Sequence, residues 1–168
     1  MIDRRNRPSS ILCYGVICAV LALAVWLAGT ARAAEHCGEV NALVNAARSN
    51  FQGIATGGTA PAAPQAPDAV ANCAVSPSLS GANVYHCAWQ YQYRSTRAHR
   101  AFDALQGLIR DCFGNRAHMR KDQGVNHPDS YDLRQYRLDS VEMSVSIKDK
   151  AAQQATFVFL RILGEADG

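Results

Sequence analysis

The chain has 168 residues and a formal net charge of +3. Arg4, Arg5, Arg7 and Arg32 against Asp3 account for all of that charge, and the stretch from Ala34 onward holds 13 basic and 13 acidic residues. A neutral body lacks the global positive footprint of a nucleic-acid-binding domain, so nucleic acid is excluded as the expected partner.

The first thirty-three residues read as an export signal. A basic stretch, Asp3-Arg4-Arg5-Asn6-Arg7, precedes an uncharged, largely apolar run centred on Ile11 to Leu27. Ala31-Arg32-Ala33 then places small residues at the −3 and −1 positions of a cut after Ala33. The apolar run approaches bilayer-spanning length, so an uncleaved anchor through residues 11–29 is the competing reading. Either reading places the body in the periplasm or outside the cell.

Four cysteines remain beyond the signal: Cys37, Cys73, Cys87 and Cys112. An even number in an exported chain points to two disulfides. No C-x-x-C or C-x-x-H pair supports zinc. No metal or cofactor is expected.

Residues 34–52 read as a first helix. Cys37, Val40, Val44, Ala47 and Phe51 recur at threes and fours and form one apolar stripe. Residues 53–68, rich in Gly, Ala and Pro, read as a linker. The body, 69–164, opens with two strands, Val70 to Val75 and Val84 to Tyr93, paired as an antiparallel hairpin. In the second strand Tyr85, Cys87, Trp89, Tyr91 and Tyr93 share one face by the two-residue period.

Ser95 or Thr96 caps the next helix. Its buried stripe is Ala98, Ala101, Phe102, Leu105, Leu108, Ile109, Cys112 and Phe113, and Gly114 ends it. Residues 114–130 read as a long polar loop with a turn at Asn126 to Asp129. Three strands complete the chain. Tyr131 to Leu138 is irregular in pattern. The next alternates Val141, Met143, Val145 and Ile147 with Glu142, Ser144, Ser146 and Lys148, so one face is wet. Thr156 to Leu163 is apolar on both faces apart from Arg161 and suits a central strand. Residues 165–168 read as a disordered tail.

The expected fold is therefore α+β: a single small, disulfide-stapled domain. It has a mainly antiparallel sheet of about five strands and two helices on one face, in the order α-β-β-α-β-β-β. Matching an extended strand rise against the helix length between them favours Cys87 with Cys112, leaving Cys37 with Cys73. Cys73 and Cys87 also lie symmetrically about Ser80, which keeps Cys73–Cys87 with Cys37–Cys112 as the alternative.

No catalytic residue is assigned, because no nucleophile elbow, phosphate loop or dinucleotide fingerprint occurs. Two groups of residues are candidates for an anion or partner site. Arg94, Arg97 and Arg100 cluster at the start of the second helix, where free backbone N–H groups favour anions. The competing account is a solvated face. His118, His127 and Asp129 lie in the long loop. The expectation is a monomeric, non-enzymatic binding or interaction module of the cell envelope, with another envelope protein as partner. The alternative is a small periplasmic hydrolase or ligand-binding protein with its site in the 114–130 loop.

Overall fold

The computed structural model describes residues 36–55, 69, 71–79, 81–126 and 129–164. The expected signal, residues 56–68 of the expected linker, His127 and the tail at 165–168 lie outside the described residues. Helix α1 covers 36–48, and a short helical turn, α2, covers Gln52–Ala55. Strands β1 (Ala71–Pro77) and β2 (Asn83–Gln92) follow, then helix α3 (Thr96–Phe113). Four strands complete the domain: β3 (His118–Asn126), β4 (Asp129–Leu138), β5 (Val141–Lys150) and β6 (Ala155–Leu163).

The strands form one sheet in the order β1-β2-β6-β5-β4-β3, with every neighbour antiparallel. The chain makes the β1–β2 hairpin, crosses through α3 to the far edge, and meanders back until β6 closes beside β2. The position of β6 follows from its sequence: a strand apolar on both faces belongs at the centre of a sheet.

One face of the sheet carries the core. Tyr85, Cys87 and Trp89 of β2 stand opposite Ile162, Leu160 and Val158 of β6. These in turn stand opposite Met143, Val145 and Ile147 of β5. Val40, Leu43, Val44 and Ala47 of α1 and the stripe from Ala98 to Phe113 of α3 bury against them in one cluster. Among the described residues one core gathers both long helices on this face, as the α+β reading requires.

Ser95 caps α3, its side chain accepting from the Ala98 amide, and Gly114 closes it at φ +54°. The end of α1 is clasped to the sheet by two asparagines. The Asn83 amide donates to Asn50 Oδ1 at 2.7 Å and Asn83 Nδ2 donates to the Asn50 carbonyl at 2.8 Å. The buried Gly164 fits against this clasp, its amide donating to the Asn83 carbonyl.

The sheet differs from the sequence expectation in having six strands. The stretch read as a loop at 114–130 is mostly β3, paired with β4 from His118↔Arg137 to Asn126↔Asp129. Its sequence, HMRKDQGVN, hides the strand because it is an edge: charged residues on an edge discourage pairing with other chains and erase the apolar alternation. Of the stretch read as linker, Gly53 to Ala55 belong to the helical turn Gln52–Ala55.

The favoured disulfide pairing is corrected. The bonds are Cys37–Cys112 and Cys73–Cys87. Matching rise along β2 and α3 assumed that the helix retraces its own strand. Instead α3 packs chiefly on β5 and β6, which carries Cys112 away from β2 and toward α1. Cys73 and Cys87 are direct partners in the β1–β2 register, with Cα atoms 4.1 Å apart.

Candidate functional site: the open face of the sheet

Antiparallel strands alternate their side chains between faces, so the same register that builds the core also lays out the opposite face. Reading across strands, His86, Arg161, Ser144, Gln135 and Arg120 form one row from β2 to β3. Phe159, Ser146, Leu133 and Asp122 form the next. Phe157, Lys148 and Tyr131 form a third.

Two side chains in this array are short. Ser144 and Ser146 lie on β5, flanked by Arg161 and Phe159 of β6 and by Gln135 and Leu133 of β4. Short residues on one strand between long ones on its neighbours make a trough. Two depressions result, of about 420 and 480 Å³. They share Gln135, Ser144 and Arg161, so Arg161 stands where they meet.

Beside the depressions, β2 and β6 carry a line of stacked rings on the same face. His86 stacks on Phe159 with ring centroids 5.3 Å apart, and Phe159 stacks on Phe157 at 5.9 Å. Lys148 Nζ lies 5.6 Å from the Phe159 ring centre. Burial pushes the His86 imidazole below its ordinary pKa, and the positive charges of Arg161 and Lys148 push it further in the same direction.

The carboxylates of this face are engaged elsewhere. Glu142 pairs with Arg137. Asp129 accepts from Lys150 Nζ at 2.7 Å and from the Ala151 amide at 3.0 Å, and these bonds hold its carboxyl below the usual range. Asp122 accepts from the Tyr131 hydroxyl. Among the described residues no carboxylate comes within ion-pair distance of Arg161, Lys148 or Arg120.

Of the candidates from sequence, Arg94, Arg97 and Arg100 lie around the start of α3, and His118 and Asp129 lie on the other face of the sheet. Arg94 belongs to a network at the end of the core face. Its amide donates to Thr156 Oγ1 at 2.8 Å and its Nε to Asp149 Oδ2 at 3.3 Å. Asp149 also accepts from Thr156 Oγ1 at 2.6 Å and Ser130 Oγ at 2.8 Å. Arg97 and Arg100 are exposed on the first turns of α3, on the helical side of the sheet. His118 and Asp129 both line the trough side, but at opposite ends of the β3–β4 hairpin.

The residues that form the trough carry weak sequence signals. Ser144, Ser146 and Lys148 read only as a wet face, and Arg161 only as the one charge in an apolar strand. Their juxtaposition depends on the β4–β5–β6 register. Leu133 and Tyr131 are hidden by the irregularity of β4, which has a structural cause. The half-buried Asp132 and Arg134 pair with each other on the core face, and Arg134 covers the Phe102 ring at 5.4 Å. Polar residues therefore point toward the helix and apolar ones toward the trough over that half of the strand.

Among the described residues no cluster of His, Cys, Asp and Glu could hold a metal ion, and no helix is long and apolar enough to cross a membrane. No protein-family model and no curated protein matches the chain.

Proposed function

We propose that this protein is an exported, non-enzymatic binding module of the cell envelope that engages a partner through the open face of its sheet. Two disulfides fit an oxidising compartment outside the cytoplasm. The basic start, apolar run and small-residue site of the first thirty-three residues supply the export signal. The partner is another envelope protein, and the domain works as a monomer.

The observation that carries this reading is the trough. Among the described residues both long helices lie on the core side, and the opposite face presents Phe157, Phe159, Leu133, Arg161 and Lys148 together. Exposed apolar surface rimmed by polar groups is characteristic of interaction sites, and concave sites with a few convergent polar groups favour ligands.

Site-specific photo-cross-linking in intact cells tests it. A photoreactive residue in place of Gln135, on the trough, should give a discrete adduct, and one in place of Gln106, on α3, should not. Adducts from Gln106 alone would reject the open face. Turnover of an ester or phosphate substrate by the purified protein would reject the non-enzymatic reading.

A further inference from the structure

We infer that the trough receives an extended acidic segment of the partner, lying along β5 with two carboxylates over Arg161 and Lys148 and an apolar side chain between Phe159 and Leu133. This rests on the open face being the binding surface. The grounds are charge and spacing.

Arg161 stands opposite Ser144, and Lys148 lies four residues further along β5. At about 3.4 Å per residue, that is about 14 Å along the strand. In an extended peptide, side chains at positions i, i+2 and i+4 point the same way, and i and i+4 are separated by about the same distance. Carboxylates at i and i+4 therefore match the two cations. The side chain at i+2 lands over Ser146, whose neighbours across the sheet are Phe159 and Leu133.

The charge is complementary as well. Arg161 and Lys148 have no carboxylate partner among the described residues, and Arg120 lies in the same row as Arg161. A single compact anion would use one of these cations and leave the others facing water. An extended segment uses several.

The test titrates the isotopically labelled full chain, disulfides formed, with acetyl-Glu-Ala-Phe-Ala-Glu-amide and follows amide shifts. Shifts should concentrate at Gln135, Ser144, Ser146 and Phe159. The counterpart with lysine for glutamate should bind at least roughly tenfold more weakly, and Arg161→Glu should weaken the acidic peptide by a similar factor. Equal binding of both peptides, or shifts confined to α3, would overturn the inference. So would acetate binding as tightly as the pentapeptide, which marks a point anion site, or oligothymidylate binding more tightly, which marks a polyphosphate site. If the peptide fails while the Gln135 cross-link persists, the acidic-segment inference falls and the open face stands. If both fail, both fall.

Discussion

Asp149 shows how a single side chain can organise a corner of this fold. It is a mostly buried carboxylate that accepts from Thr156, Ser130 and Arg94. Burial alone would raise its pKa. The three hydrogen bonds and the Arg94 charge outweigh that and leave it below the ordinary value of 3.8. Because the folded-state pKa is depressed, its stabilising contribution is complete above about pH 3.8 and fades as pH falls through the lower folded value. Asp149→Ala should cost about 1–3 kcal/mol near neutral pH, since it removes the acceptor of the fully buried Thr156 hydroxyl. Denaturant unfolding should show that difference shrinking below the ordinary carboxylate pKa. A loss that does not vary with pH would mean the network is not held by the ionised carboxylate. The same network gives Arg94, a candidate ligand-binding residue by sequence, a structural role. Its neighbours in space, Asp149 and Thr156, are more than fifty residues away in sequence.

Among the elements, α1 is held both by its buried stripe and by a covalent tie. Cys37–Cys112 joins it to α3 across a separation of 75 residues, and Cys73–Cys87 closes the β1–β2 hairpin across 14. In the chain-entropy model the shorter loop contributes roughly 3 kcal/mol and the longer one between roughly 3 and 4.7 kcal/mol. Non-reducing peptide mapping should recover those two linked pairs, and a Cys87–Cys112 peptide would refute the packing of α3 on β5 and β6. Replacing Cys37 and Cys112 together by serine should therefore destabilise the domain more than replacing Cys73 and Cys87, as read from unfolding midpoints. The Asn50–Asn83 clasp is the non-covalent counterpart. A Cβ on Gly164 would stand 2.6 Å from Asn50 Oδ1 and 3.0 Å from backbone atoms of Asn50 and Asn83. Gly164→Ala should accordingly cost about 1–3 kcal/mol through overpacking, measurable by thermal or denaturant melts.

At the largest scale, the described domain is a two-layer structure with sharply different faces, and that division predicts how it responds to change. Trp89 is 1% exposed on the core face, so Trp89→Ala should cost about 3–5 kcal/mol. Arg161→Glu on the open face should change unfolding stability by less than about 1 kcal/mol while altering binding, because that side chain is solvated and has no ion-pair partner among the described residues. A large stability loss from Arg161→Glu would show that the trough is a structural seam. Much of this layering is legible in the sequence. The period of two in β2 and β5 identifies the core face, the period of 3.6 in α1 and α3 identifies the helical stripes, and the doubly apolar β6 announces a central strand. These readings succeed because burial imposes a local periodicity. β3 escapes because His118 to Asp122, at the sheet edge, are exposed on both faces and leave no such period, and the first half of β4 escapes because an ion pair occupies its core side. By itself the sequence determined the α+β layer, the neutral body, the two-disulfide count and the close of α3 at Gly114, all consequences of local pattern and composition. Only the tertiary structure decided the disulfide partners, the network around Arg94 and the trough. Those depend on strand order and register, which bring together residues far apart in the chain.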